Sequence, residues 1–188
     1  MSDETKTPEA ETPEEEGLLE PSPNLMADID EDRRIRAFVQ GEITLADLHG
    51  MPQEELYDIA EYGQRLFEQG KLEDSETIFK ALTALDPYDE NFHAGLGSVY
   101  HQQGRLDDAL IEYDRAIQCN NFLLPALVNR AEVLMQQGEL EKVMEDLKRV
   151  FELDPNSESG YTQRARGLAM SIATAVQEEA TRKSQQNG

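Results

Sequence analysis

The residues best suited to chemistry in this sequence are two histidines and one cysteine. His93 and His101 are eight residues apart, or about two turns of one helix, whereas a histidine pair that binds one metal ion from a single helix is one turn apart. Cys119 is the only cysteine, and we expect it to be a small buried hydrophobic residue. No nucleophile–base pair, glycine-rich phosphate loop or metal-binding cluster is apparent. The sequence therefore predicts no enzyme, no metal site and no cofactor.

The charge of the chain argues against two further classes of ligand. Its 39 acidic residues outnumber its 17 Lys and Arg, for a formal net charge of −22, and no basic stripe offsets this excess. Nucleic acid and anionic membrane surfaces are therefore disfavoured as direct partners. The sequence shows neither a secretory signal nor an apolar run of the roughly 18–20 residues that span a bilayer. Together with the single cysteine, these features predict a cytoplasmic protein.

The helices that position these side chains are indicated by a residue pattern that recurs at a fixed interval along the chain. Gly70, Gly104 and Gly138 are evenly spaced, and each is followed two places later by a leucine. A 34-residue period with small, aromatic and closing proline positions is typical of the tetratricopeptide repeat, a pair of antiparallel helices. His93 falls where this repeat usually has tryptophan, so we expect it to pack. The predicted fold class is an all-α solenoid of three repeats, which span residues 56–89, 90–123 and 124–157.

The segments outside the repeats are predicted to differ in order. Residues 1–28 are acidic and proline-rich, bury too little apolar surface to fold, and are predicted to be a disordered tail. Short N-terminal helices are expected within 30–50. A helix over 158–183 should cover the exposed end of the last repeat, as a solenoid requires, and 184–188 should fray. The TPR domain as a whole is predicted to span 29–183.

The first helices of the repeats should line a concave groove. In this geometry five positions of each first helix face the groove, and the side chains there are small, amide-bearing or partly apolar. We expect the peptide-binding residues to be Tyr57, Ala60, Gln64, Phe67, Glu68, Asn91, Ala94, Ser98, His101, Gln102, Pro125, Val128, Glu132, Met135 and Gln136. Such a surface suits an extended peptide, although ordinary packing or a solvated surface is the alternative for any single member. Because the set contains no Lys or Arg, a clamp for a C-terminal carboxylate is not expected.

Particular runs of residues resemble one family within the repeat proteins. They include Phe38–Gly41, Thr44–Leu48, Glu55–Tyr57, Leu85–Asp89 and Gly95–Gly97. Over residues 35–155 the chain resembles the class II chaperones of bacterial type III secretion, the LcrH/SycD type. The resemblance implies a cytoplasmic, non-enzymatic chaperone that holds hydrophobic translocator proteins by an extended segment in the groove. It also implies dimerisation through the N-terminal helices, or action with a transcriptional activator, as in several members.

Two questions stay open at this point. A generic repeat adaptor, or a regulator that binds a folded partner such as a transcription activator, is the alternative function. The apolar residues Ile35, Phe38 and Val39 could either mediate dimerisation into a homodimer or pack on the first repeat. Light scattering on a chain that lacks residues 1–43 distinguishes these two roles, since an unchanged mass argues for packing within one chain.

Overall fold

The structure, a computed structural model, describes residues 23–186 and is all-helical there, with no strand among these residues. Its helices in order are α1 (Pro23–Val39), α2 (Leu45–His49), α3 (Gln53–Glu68), α4 (Leu72–Leu85), α5 (Glu90–Gln102), α6 (Leu106–Cys119), α7 (Leu124–Gln137), α8 (Leu140–Leu153) and α9 (Gly160–Gln186). The predicted fold class is therefore confirmed. Most of the predicted disordered tail, residues 1–22, lies outside the described residues, as do 187–188.

The N-terminal helices differ from the prediction at one boundary. α1 begins at Pro23 rather than near residue 30, so 23–28 are helical and not disordered as expected. Proline is compatible with a helix start because the first backbone N–H groups have no partner within the helix. The short α2 is fixed at both ends: Thr44 and Asp47 form a reciprocal capping box, and Gly50 ends the helix with a positive φ of 68°.

Each repeat is a helix pair closed by a glycine. Gly70, Gly104 and Gly138 have φ values of 74°, 75° and 80°, a conformation that glycine adopts without steric cost, and each ends the first helix of its pair. The second helices then begin at the leucines two residues later. This arrangement sets α3, α5 and α7 as the inner helices of the three repeats, and α4, α6 and α8 as their partners.

Two clusters of buried side chains hold the helices together. The first joins repeats one and two around residues such as Leu82, Phe92 and Tyr113, which are fully buried. The second lies under α9, where Ala165 packs with Leu147 and other residues of repeat three. α9 contacts both α7 and α8, so it covers the end of the array as a capping helix. No described helix is long and apolar enough to cross a membrane.

Candidate functional site

A groove of about 650 Å³ runs across the inner helices of all three repeats. Eleven of the predicted residues line it: Tyr57, Ala60, Gln64, Phe67, Asn91, Ala94, Ser98, His101, Gln102, Pro125 and Glu132. The phase of the repeat was therefore assigned correctly for α3 and α5. The role of these residues in binding a peptide stays a prediction.

Four predicted residues do not line this groove. Val128 is wrong as a groove residue, because it is fully buried in the second cluster beneath α9. Met135 is partly buried against the same cluster. Glu68 is exposed and accepts a hydrogen bond from Gln64 at 3.0 Å, and Gln136 contacts the groove only through His101. The terminal helix α9 accounts for the main errors in the predicted groove residues. It packs on α7, so positions of α7 that would otherwise face the groove are buried in the core.

Several lining residues were not predicted. Glu61, Gly95 and Asn129 occupy one further position of the repeat, and their even spacing is the signal that could have found them. Phe92 follows Asn91 on α5 and is fully buried beneath the groove. The other unpredicted residues come from helices outside the inner set: Phe79 on α4, Tyr113 on α6, and Tyr161 and Arg164 on α9.

Arg164 overturns the expectation that the groove contains no cation. Its Nη2 donates to Glu132 Oε1 at 2.6 Å and to Asn129 Oδ1 at 3.1 Å, which ties α9 to α7 across the groove wall. The repeat does not indicate this arginine as a groove residue, since Arg130, one repeat earlier, does not line the groove. With Glu132 beside it, the guanidinium is locally neutralised rather than presented alone to a carboxylate.

Between α3 and α5 the groove has an apolar floor. Phe79 reaches it from the outer helix α4 because Gly95 has no side chain: a Cβ built there would lie 2.7 Å from Phe79 Cδ1 and Cζ. The rings of Tyr57 and Phe92 pack beside it with centroids 5.6 Å apart. Ala60 and Ala94 also line this part of the groove. We call Tyr57, Ala60, Phe79, Phe92, Ala94 and Gly95 the apolar gap.

Between α5 and α7 the equivalent positions are polar. Tyr113 and Asn129 lie one full repeat after Phe79 and Gly95. The Tyr113 hydroxyl donates to Ser98 Oγ at 3.3 Å, and Asn129 Nδ2 donates to the same oxygen at 3.4 Å. Burial raises the pKa of Tyr113 to about 12, so its hydroxyl keeps its proton at neutral pH. We call Ser98, His101, Tyr113, Asn129, Glu132 and Arg164 the polar gap.

His101 is held neutral in this part of the groove. Its Nε2 lies 2.8 Å from Gln136 Nε2, and because an amide nitrogen can only donate, the ring nitrogen must accept. Burial lowers the pKa of His101, an effect that nearby Arg164 reinforces and Glu132 opposes. The proton of the neutral ring is then on Nδ1. The groove thus offers donors and acceptors for binding, and we find in it no arrangement of a nucleophile with a base.

His93 has a structural role, as predicted. It is 4% exposed and does not line the groove. Its Nδ1 lies 2.7 Å from Glu112 Oε2 and its Nε2 lies 3.0 Å from the Pro87 carbonyl oxygen, so both ring nitrogens face acceptors. Burial by itself would lower the pKa of His93, but the hydrogen bonds to Glu112 and Pro87 outweigh it and raise the pKa. The imidazolium form therefore links α5, α6 and the loop before α5.

Cys119 and three apolar residues of α1 are the remaining residues that the sequence analysis singled out. The expectation that Cys119 is buried is wrong: as the last residue of α6 it is exposed at the helix end.

The three apolar residues of α1 are exposed: Ile35 by 44%, Phe38 by 38% and Val39 by 77%. Among the described helices, α1 packs only against α2. Packing on the first repeat therefore does not occur, and their part in dimerisation stays a prediction. Across the described residues, no group of three or more His, Cys, Asp and Glu is placed to hold a metal ion.

Comparison with known proteins shows that the chain is similar to tetratricopeptide repeat proteins. Residues 62–122 and 124–157 match the tetratricopeptide repeat family. The low calcium response locus protein H of Yersinia pestis is 30% identical over 106 residues, and the alignment covers 56% of this chain and 63% of that protein. The chaperone protein SicA of Salmonella dublin is 26% identical over 97 residues, with coverage of 50% and 59%. The chain thus spans less than two thirds of these relatives.

A solved structure extends the similarity to the fold. The type III secretion chaperone SycD of Yersinia enterocolitica, in complex with a peptide of the translocator YopD, superposes with a TM-score of 0.61 at 26% identity. The superposition covers 67% of this chain and 98% of that one. The similarity in fold therefore includes almost the whole of the SycD chain.

Proposed function

We propose that this chain is a tetratricopeptide-containing class II chaperone of type III secretion, and that it binds an extended segment of hydrophobic translocator proteins in its groove. Bound in this way, a translocator would stay soluble and competent for secretion in the cytoplasm. The observation that carries the proposal is the groove itself, where aromatic and alanine side chains of α3 and α5 lie beside amides and one neutral histidine, and α7 contributes polar residues.

The groove suits a segment without secondary structure. An extended peptide exposes main-chain donors and acceptors along its length, and Gln64, Asn91 and Gln102 provide side-chain amides at the groove surface. Its apolar side chains can enter the apolar gap. A chaperone of this kind works by binding and not by catalysis.

The alternative is an adaptor or regulator that binds a folded partner such as a transcription activator. A folded partner would present a surface of regular structure, whose main chain is already hydrogen-bonded, and would gain little from amides spaced along a narrow groove. The extended-segment proposal is therefore the better supported of the two. Both can hold for one protein if cargo displaces the regulator.

Co-expression with a translocator tests the proposal. A test cargo, chosen as a neighbouring-gene product that bears a long apolar segment, is produced alone, with the wild type, and with Ala60→Arg. Ala60 lies in the apolar gap, and an arginine there would fill the gap with a charged chain. We expect the wild type to keep the translocator in the soluble fraction and Ala60→Arg to leave it in the pellet.

Ala81→Arg is the matched control, because Ala81 is exposed on α4 and does not line the groove. It should behave as the wild type, and both variants should retain the helical circular dichroism signal. If the translocator is equally insoluble with and without the wild type, the chaperone function is wrong. If Ala60→Arg still solubilises it, the cargo binds elsewhere.

A further inference from the structure

The groove contains two neighbouring gaps that occupy equivalent repeat positions and differ in chemistry. Phe79 and Gly95 form the floor of the apolar gap, and Tyr113 and Asn129, each one repeat later, form that of the polar gap. The exchange of Phe for Tyr adds a hydroxyl, and the exchange of Gly for Asn adds an amide. One repeat unit therefore converts an apolar floor into a hydrogen-bonding one.

The rings of the apolar gap are packed among small residues. Gly95 carries no Cβ above Phe79, and Gly63, on the other side, would place a Cβ 3.2 Å from Phe79 Cε2. Ala60 and Ala94 contribute only methyl groups. The surface that Ala60, Ala94 and the 38% exposed ring of Tyr57 present to the groove is suited to a large aliphatic or aromatic side chain, which would cover it from water.

The polar gap could not accept such a side chain without loss. Ser98 Oγ already donates to the Ala94 carbonyl at 2.9 Å and accepts from Tyr113 and Asn129. Beside it, Glu132 and Arg164 form an ion pair whose side chains are 25% and 45% exposed. An apolar side chain placed here would remove Asn129, Glu132 and Arg164 from water and offer no hydrogen bond in return. A side chain that can donate or accept fits instead.

The two gaps are separated by one inner helix, α5. Packed helices have their axes about 8–10 Å apart, and an extended chain in the polyproline II conformation rises about 3.1 Å per residue and returns its side chains to the same face every three residues. A segment that crosses the inner helices would therefore present side chains to successive gaps at intervals of roughly three residues.

From this geometry we infer that the groove selects its segment by a pair of side chains about three residues apart, a large apolar one in the apolar gap and a hydrogen-bonding one in the polar gap. This inference rests on the proposed function, since it assumes an extended segment in the groove. It specifies which segments of a translocator are bound. A segment with two large apolar residues at that spacing binds more weakly than one in which the second is Ser, Thr, Asn or Gln.

Phage-displayed random 12-residue peptides panned on the full chain provide the test. We expect peptides selected by the wild type to share an apolar residue and a hydrogen-bonding residue about three positions apart. Replacement of the hydrogen-bonding residue by leucine in a synthetic copy should weaken binding about tenfold in fluorescence polarisation, the loss of about one hydrogen bond to a buried partner.

The double variant Tyr113→Phe with Asn129→Ala removes the hydroxyl and the amide that distinguish the polar floor from the apolar one. It should select peptides with a second apolar residue at the same spacing more often than the wild type does. The matched control is Tyr62→Phe with Asn156→Ala, two exposed positions outside the groove, and it should select as the wild type does. A thermal melt shows whether the double variant folds, and Ala60→Phe, which fills the apolar gap, should independently remove the apolar preference.

The outcomes separate this inference from the proposed function. If the wild type selects peptides that Ala60→Arg no longer binds, yet those peptides have no paired preference, the inference is wrong and the groove function stands. The same holds if the double variant keeps the wild-type preference. If the wild type selects no peptide, both are wrong.

Discussion

Between α3 and α5 the groove floor is a phenylalanine ring, and between α5 and α7 it is a tyrosine ring, although both rings occupy one position of the repeat. Phe79 lies against a glycine and Tyr113 against an asparagine and a serine. The comparison shows that the repeat preserves where a side chain lies while leaving its chemistry free. A solenoid can therefore change its ligand preference one gap at a time without changing its helices.

The gaps also differ in what covers them. The apolar gap is built from repeats one and two alone, whereas the polar gap receives Arg164 from α9. The capping helix thus has two roles, since Ala165 on it packs in the second cluster and Arg164 binds Glu132 and Asn129 at the groove. The terminal element of the array is part of the candidate site.

The largest effect should come from adding one methyl group to the apolar gap. Gly95→Ala places a Cβ against the ring of Phe79, which is itself 4% exposed and cannot move freely. We expect it to lower the free energy of unfolding by about 1–3 kcal/mol, as overpacking a core does. Asn129→Ala gives the polar gap the same residue but adds no atom that could clash, so it should cost less. Urea denaturation of the two variants measures the difference.

Gly95→Ala should not lower the free energy of unfolding if Phe79 does not enter the apolar gap. Equal stabilities of Gly95→Ala and the wild type would mean that the ring has room to withdraw, and the two gaps would then differ less than the structure indicates.

A smaller effect is expected from removing the hydroxyl that distinguishes the two floors. Tyr113→Phe loses the 3.3 Å hydrogen bond to Ser98 and leaves that oxygen with one donor fewer. The free energy of unfolding should fall by roughly 0.5–1.5 kcal/mol. Tyr62→Phe, at a side chain that is 50% exposed, should leave stability unchanged and serves as the control in the same denaturation series. A Tyr113→Phe protein as stable as this control would show that the hydroxyl adds nothing to the polar gap.

The smallest effect concerns pH. Burial lowers the pKa of His101 beside the polar gap, so the unfolded chain binds a proton at a higher pH than the folded one. Its contribution to stability is therefore present above the unfolded pKa of about 6.5 and is lost as pH falls toward the lowered folded value. His93 has the opposite dependence: its pKa is raised, so its contribution is complete below about pH 6.5 and is lost as pH rises through the folded value.

The variant His101→Gln distinguishes the pH dependence of stability that His101 causes from the one that His93 causes. Between pH 7 and pH 5 this variant should lose less unfolding free energy than the wild type, as measured by urea denaturation at each pH. His93→Gln is the paired variant, and it should lose more than the wild type over the same range. If the two variants have the same pH dependence, the neutral state assigned to His101 is wrong.

The sequence predicted most of the inner helices and less of what lies around them. Its regular period located the three glycine-ended helix pairs, since a positive φ and a closing turn depend on local residue types. The same period gave eleven lining residues, because positions that repeat along equivalent helices face the same way. It also predicted His93 as a packed residue, which the structure confirms.

Other features depended on contacts between segments that are distant in the chain. Val128 became core because α9 packs over it, and Arg164 entered the groove from the same helix. Phe79 reached the groove from an outer helix only because Gly95 lies opposite. Local pattern determines which residues a helix can present, since its period is fixed by its backbone. Which of them meet a ligand and which are covered is decided by tertiary packing, because each surface is exposed only until another element lies on it.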